Sequence, residues 1–301
     1  MQFGILEQSQ LRTNTTSSEI LSETIGLAEH AESLGFSKFW VTEHHSSRFA
    51  CPSPEILMTA IASRTSSISV GCGGIMLNHG HTHKTAEQLS MICELFPDRI
   101  DIGVGRAPAA EGSELEYLKK YNTSHDFEER FSHLRSKLNA KPPWVLASGK
   151  RSVDFAAAKG APLCFGYFIN PNGLDLLEEY RKKFSPGIVE SPQTMACIGV
   201  IAARTEKDLS DKIRIFGKHA INLKSNPESK IPSSVNFELS TSERKFIREF
   251  LKNEGVLIAT YDEIRNKIDS FVKSLKVSSC LLSIFDYSLR NKVEVMNSIA
   301  T

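Results

Sequence analysis

The chain has 301 residues, with 36 basic and 35 acidic side chains, a formal net charge of +1 and 41% hydrophobic residues. The nearly equal numbers of basic and acidic residues argue against a nucleic-acid-binding surface and against an acidic, disordered tail. The sequence lacks the roughly 18 consecutive apolar residues of a membrane span, and its start, MQFGILEQSQ, lacks the basic region of a secretion signal. The six cysteines are scattered without a C-x-x-C pair, which disfavours disulfides and zinc sites. We therefore expect a globular, cytoplasmic protein with reduced thiols.

Strands and helices alternate through the first hundred residues. A capping-box pattern at Thr16 and Glu19 predicts a helix from about Ser17 to Leu34. The turn Ser53-Pro54-Glu55 has the residue types that open a second helix, and a third is expected from about Thr82 to Leu95. The strands predicted between these helices are Phe3–Leu6, Phe36–Thr42, Ile68–Met76 and Ile100–Val104.

The second half continues this alternation less regularly. Its predicted strands are Trp144–Ala147, Pro162–Tyr167, Met195–Ala202 and Ser279–Phe285. Two long connections, residues 107–142 and residues 223–260, are polar; the second contains a charged helix near Ser242–Asn253. Eight strands in βα units favour a closed parallel barrel over an open sheet. The predicted fold is therefore α/β, a (β/α)8 TIM barrel with helical insertions after strands 4 and 7, in a single domain over residues 1–301.

Residues suited to chemistry stand where the predicted strands end. In a barrel of this kind the active site forms at the carboxyl ends of the strands. The segments there are Glu7, Glu43-His44-His45, Gly73-Gly74-Ile75-Met76, Gly103-Val104-Gly105-Arg106 and Ser148-Gly149-Lys150-Arg151. Each also has a structural interpretation: Glu43 and His44 could cap the next loop or pair with each other, and Arg106 could form a surface salt bridge.

The segment Ser148–Arg151 predicts an anion site. A small, polar turn leads into a helix at Ser152–Lys159, whose first backbone N–H groups are free to bind a phosphate. Lys150 and Arg151 add positive charge, and Arg106 follows the neighbouring strand. By contrast, the alternating His79, His81 and His83 have no nearby carboxylate or cysteine to complete a metal site, so we interpret them as part of a polar loop and expect no metal.

Four segments in this order and spacing resemble the bacterial luciferase-like flavin monooxygenases. They are FWVTEHHSS, ISVGCGGIML, FPDRIDIGVGRAP and WVLASGKRSVDFAAAKGAPLCFGY, with a further similar segment from about Gly255 to Ala300. The resemblance implies a barrel that binds FMN or, in some members, the deazaflavin F420. It also implies a homodimer in which the helices after the second and third strands form the contact. Here those helices are Pro54–Arg64 and about Thr82–Leu95.

The resemblance also implies roles for individual residues. His44 matches the family's proton-transferring histidine beside the reacting edge of the flavin, and Glu43 would orient or polarise the site. Gly73 and Gly74 match a pair that often carries a non-proline cis peptide beneath the flavin ring. Arg106 matches the arginine that binds the FMN phosphate. The remaining cofactor-binding residues expected are Met76, Ser148, Gly149, Lys150 and Arg151.

The function implied is that of a two-component monooxygenase. A separate reductase would supply reduced FMN, and O2 would oxidise a small organic substrate through a flavin peroxide. Two alternatives keep the fold: a flavin-binding protein without turnover, and an F420-dependent hydride-transfer oxidoreductase. A third is a barrel enzyme without flavin that acts on a phosphorylated substrate. The sequence does not identify the substrate.

Overall fold

Eight parallel strands close into a barrel at the centre of the molecule. The computed structural model describes residues 2–121, 127–138, 141–250 and 255–300. The strands are β1 (Gln2–Glu7), β2 (Lys38–Val41), β3 (Ser69–Met76), β4 (Ile100–Gly105), β5 (Trp144–Ala147), β6 (Leu163–Gly166), β7 (Thr194–Ala203), β8 (Val256–Thr260) and β9 (Ser279–Ile284). Pairing runs in order from β1 to β7, then to β9, which returns to β1. The predicted barrel is thereby confirmed.

The helices connect successive strands and cover the barrel. They are α1 (Ser17–Ser33), α2 (Pro54–Arg64), α3 (Thr82–Leu95), α4 (Gly112–Tyr121), α5 (Phe127–Lys137), α6 (Lys150–Lys159), α7 (Leu174–Lys183), α8 (Glu206–Ser225), α9 (Thr241–Phe250), α10 (Tyr261–Leu275) and α11 (Leu289–Ala300). The capping box of Thr16 and Glu19 is present at the start of α1. Of these described helices, none has the length and apolar character needed to cross a membrane.

The strand β8 was not predicted. It lies in the second insertion and, among the described strands, pairs only with the last part of β7, from Gly199 to Ala203. The same edge of β7 pairs with β6 earlier, from Thr194 to Cys197, so β8 continues that edge after β6 has ended. The helix predicted near Ser242–Asn253 is α9 as far as Phe250, and its remaining residues lie outside the described part of the chain. The second insertion therefore contains a strand, β8, as well as the helix α9.

A buried tryptophan lies inside the barrel. The side chain of Trp40 is fully buried, and its Nε1 donates to Asp101 Oδ2 at 3.3 Å. Glycines on β3 and β4 leave room for the indole: a Cβ on Gly71 would lie 2.4 Å from Trp40 Nε1, and one on Gly103 would lie 3.1 Å from its six-membered ring. Because inward positions alternate along each strand, the next inward residue after Trp40 is Thr42. Trp40 therefore lies one layer below Thr42, in a cluster with Leu6, Cys164, Cys197 and Leu281.

Candidate active site

A cavity of about 640 Å³ opens above Trp40, at the carboxyl ends of the barrel strands. Its inner wall is mainly apolar and comes from five strands: Leu6, Leu146, Cys164, Cys197 and Leu281. The polar lining lies nearer the mouth. The predicted site residues that line it are Glu43, His44, Gly73, Met76, Arg106, Ser148, Gly149, Lys150 and Arg151. Gly74 is not part of the lining, because it packs against Gly103 and the Leu146 side chain.

Glu43 joins two strand ends. The residue is 7% exposed, and its Oε2 accepts a hydrogen bond from the backbone N–H of Met76 at 2.8 Å. Its other oxygen, Oε1, lies 2.8 Å from His45 Nε2. Neither of the structural interpretations suggested by the sequence, a loop cap or a pair with His44, describes these contacts. Glu43 instead fixes the end of β2 against the end of β3, which places the residues on either side of it.

The His44 ring is held in the lining by an aromatic contact. It stacks on Phe49 with ring centroids 3.9 Å apart and an angle of 16° between the planes. No described residue hydrogen-bonds to its ring nitrogens. Burial lowers the pKa of His44 to about 4, and the electrostatic interactions with Arg48 and His45 act in the same direction. At neutral pH His44 is therefore an uncharged imidazole that is able to accept a proton.

The opposite side of the mouth is positively charged. The Arg106 guanidinium lies over two rings, 4.3 Å from the centroid of Phe127 and 5.0 Å from that of Phe155. Helix α6 begins beside it at Lys150, with Gly149 as the N-cap, and no side chain in the described ranges is bonded to its first N–H groups. The sequence predicted this helix two residues too late, at Ser152. Free N–H groups at a helix start attract anions, so this corner is suited to a phosphate.

The two cations adjacent to this helix start differ in their contacts. Lys150 Nζ bonds to Glu179 at 2.6 Å and lies 3.3 Å from Asp154, within a surface network that also contains Lys183. Arg151 is exposed and forms no ion pair with any described residue. The Lys150 ammonium is therefore already neutralised by carboxylates, whereas the Arg151 guanidinium is available to a ligand at the cavity mouth.

The cis peptide implied by the family resemblance is present between Gly73 and Gly74. Gly73 contributes its backbone to the cavity lining, and Met76 contributes its side chain beside Gly105. In the described ranges, no group of three or more histidine, cysteine, aspartate or glutamate side chains is arranged to hold a metal ion. His83 instead lies 3.3 Å from His133, at the surface.

Several lining residues were missed from the sequence. Gln8, Thr42, Ser152 and Phe168 all line the cavity. Gln8 and Thr42 directly follow the paired residues Glu7 and Val41 at the ends of β1 and β2. The available signal was the alternation of inward and outward residues, since Leu6 and Trp40 point into the barrel two positions earlier. Ser152 follows from the earlier start of α6.

The chain resembles proteins across its whole length. The family model "Luciferase-like monooxygenase" matches residues 1–135. The uncharacterized protein YwcH of Bacillus subtilis is 34% identical over 229 residues, covering 68% of this chain and 69% of that protein. The N-acetyl-S-alkylcysteine monooxygenase of the same organism is 26% identical over 313 residues, covering 94% and 92%.

Solved structures show the same fold. Apo-MsnO8 has a TM-score of 0.84 at 24% identity, covering 99% of this chain and 97% of its own. An oxygenating constituent of 3,6-diketocamphane monooxygenase from Pseudomonas putida, solved with FMN, has a TM-score of 0.69 at 16% identity, covering 100% and 96%. An F420-dependent secondary alcohol dehydrogenase has a TM-score of 0.67 at 13% identity, covering 99% and 98%. These structures show the fold; the family model and the sequence relatives show that the chain belongs to the luciferase-like monooxygenase family of oxidoreductases.

Proposed function

We propose that this protein is the oxygenating component of a two-component, FMN-dependent monooxygenase. A separate reductase would supply reduced FMN, and a small organic molecule would be the substrate. The observation that carries the proposal is the division of one cavity into a cationic corner at the start of α6 and an apolar interior, with the neutral His44 in the lining. An anionic, ring-containing cofactor matches this division.

The residues present are suited to FMN. The first N–H groups of α6, the Arg106 guanidinium and the Arg151 guanidinium would hold the phosphate, because a planar guanidinium can bond two phosphate oxygens at once. The apolar inner wall would receive the flat ring system. When bound, reduced FMN supplies the electrons with which O2 is activated. Lys150 would contribute little, since its ammonium is already bonded to Glu179.

His44 would move the proton in this reaction. Its pKa of about 4 leaves a ring nitrogen unprotonated at neutral pH, so the imidazole can accept a proton from a reacting group and return it. The stack on Phe49 fixes the plane of the ring. Glu43 would act as a positioning residue, because both of its oxygens are already bonded to His45 and to the Met76 backbone.

The interior of the cavity would keep water from the reaction. Its walls are the apolar side chains of Leu6, Leu146 and Leu281 and the thiols of Cys164 and Cys197. Burial raises the pKa of the Cys164 thiol to about 12, so it stays protonated and a poor nucleophile. Exclusion of water by such walls suppresses wasteful side reactions during oxygen chemistry.

Rapid mixing tests this proposal. The protein would be loaded with reduced FMN without oxygen, mixed with oxygenated buffer and followed by flavin absorbance. A monooxygenase delays the return of oxidised-flavin absorbance relative to free FMN, and His44→Ala should shorten this delay while FMN affinity changes less than twofold. Oxidation at the protein-free rate despite tight FMN binding would identify a flavin-binding protein without turnover. Preferential binding of F420 would identify a hydride-transfer enzyme instead.

The exposed faces of α2 and α3 support a homodimer. Three large apolar side chains project there into solvent: Ile56 is 67% exposed, Met91 61% and Leu95 56%. Apolar side chains of this size concentrated on adjacent helices mark a protein contact surface. We therefore propose that a second copy of the chain covers this patch. Size-exclusion chromatography with light scattering measures the oligomeric state directly.

A further inference from the structure

One hydrogen bond joins the loop after β6 to the turn that begins α6. Asn170 Nδ2 donates to the backbone carbonyl of Ser148 at 2.8 Å. The amide nitrogen is the donor, because a carbonyl oxygen can only accept. Ser148 and Gly149 line the cavity, whereas Asn170 is not among the lining residues. The Ser148 carbonyl is therefore held on the side of the turn that faces away from the cavity.

The direction of this carbonyl fixes the direction of the next N–H. The peptide bond between Ser148 and Gly149 is trans. In a trans peptide the C=O and the N–H point in opposite directions. The contact with Asn170 therefore directs the N–H of Gly149 toward the cavity, at the N-cap of α6. Gly149 is exposed and has no side chain, so a ligand can approach this N–H.

The opposite orientation of this peptide would reverse its effect on an anion. The carbonyl oxygen would then face the cavity and repel a phosphate that the N–H attracts. Glycine makes such a flip sterically easy, because it adopts conformations that other residues avoid. An added Cβ on Gly149 would meet no atom within 4 Å beyond its chain neighbours, so the surroundings leave this peptide free to turn. A specific contact is therefore needed to hold the orientation that favours an anion.

Asn170 is itself fixed by its own loop. Its backbone N–H donates to the carbonyl of Gly166 at 3.1 Å, and its carbonyl accepts from the N–H of Gly173 at 3.2 Å. Pro171 follows directly and restricts the backbone of the residue before it. The carboxamide is therefore presented to the α6 turn from a hydrogen-bonded turn that belongs to the neighbouring strand, β6.

We propose that Asn170 is a positioning residue of the anion site, which holds the Ser148–Gly149 peptide with its N–H toward the cofactor phosphate. This inference rests on the proposed flavin function. It adds a residue that acts on the phosphate only through the backbone of the turn. The contribution of Asn170 should therefore appear with FMN and be absent with riboflavin, which lacks the phosphate.

Asn170→Ala and Asn172→Ala test the inference. Asn172 is the matched control, because it is an exposed asparagine two positions further along the same loop. Titration with FMN and with riboflavin gives two dissociation constants for each protein, and thermal unfolding gives its stability. We expect Asn170→Ala to weaken FMN binding about fivefold to tenfold, the value of roughly one hydrogen bond, and riboflavin binding less than about twofold. Asn172→Ala should leave both constants unchanged.

NMR of the unchanged protein provides a second measurement, which does not depend on the folding of any variant. The amide resonance of Gly149 should move downfield when FMN replaces riboflavin in the cavity, because its N–H then bonds to the phosphate. Three results overturn the inference and leave the proposed function standing: shifts of the α6 amides without one at Gly149, equal weakening of both ligands by Asn170→Ala, or full preference for FMN in that variant. An unchanged protein that binds FMN no more tightly than riboflavin overturns the proposed phosphate site together with the inference.

Discussion

Replacement of Glu43 by alanine and by glutamine separates a positioning role from a chemical one. Alanine leaves the backbone N–H of Met76 buried without an acceptor, which costs roughly 1–3 kcal/mol, and removes a charge-assisted bond to His45. The His45 side chain is 22% exposed, so water recovers part of the second loss. We expect Glu43→Ala to lower the free energy of unfolding by about 2–4 kcal/mol.

Glutamine is the matched control. Its carbonyl oxygen still accepts from Met76, and its NH₂ group can donate to an unprotonated His45 Nε2, so both contacts survive. The loss should stay below about 1 kcal/mol. Urea unfolding of the two variants, followed by fluorescence, measures both values. Equal destabilisation by alanine and glutamine would refute the bridging argument, as would an alanine variant as stable as the unchanged protein. A stable glutamine variant that fails to delay flavin oxidation would show that Glu43 itself transfers a proton.

Three further outcomes are expected. Arg106→Ala should weaken FMN binding about tenfold or more while riboflavin, which lacks the phosphate, binds as before; parallel titrations measure both. Burial lowers the pKa of His44 and of His219 to about 4, so between pH 6.5 and 4 the unfolded chain binds more protons than the folded one. The free energy of unfolding therefore falls as the pH drops through that range. Without one of these histidines, His219→Gln should show a weaker pH dependence of stability in urea unfolding. Met91→Asp should convert a dimer to monomers in light scattering, and an unchanged mass would place the dimer contact elsewhere.

The sequence predicted the barrel because each barrel strand forms part of a regular βα unit. Strand β8 was missed for the opposite reason. Its residues, Val256–Thr260, stand in a polar insertion and pair with one neighbour among the described strands, the end of β7. No spacing rule applies to such an added strand. A short apolar run of this kind becomes a strand only because β6 ends early and leaves part of β7 unpaired.

The positions of the site residues were predictable, but their contacts were not. Strand ends gather at one face of a barrel, which brought Glu43, His44, Arg106 and Ser148 together as expected. The partners of individual atoms depend on residues distant in the sequence. Lys150 bonds to Glu179, 29 positions away, so its charge faces carboxylates rather than only the cavity. Sequence patterns give the face on which a residue lies, and side-chain packing then decides which atoms it meets.

The tryptophan below the cavity should allow ligand binding to be followed by intrinsic fluorescence. The chain has two tryptophans, Trp40 and Trp144, and their ring centroids lie 6.4 Å apart. All of the intrinsic tryptophan emission therefore originates at one place, behind the apolar side chains that line the inner end of the cavity. A flavin bound there absorbs at the wavelengths at which indole emits, so occupancy should quench this emission almost completely. Binding, release and unfolding can then be followed in real time without attaching any label.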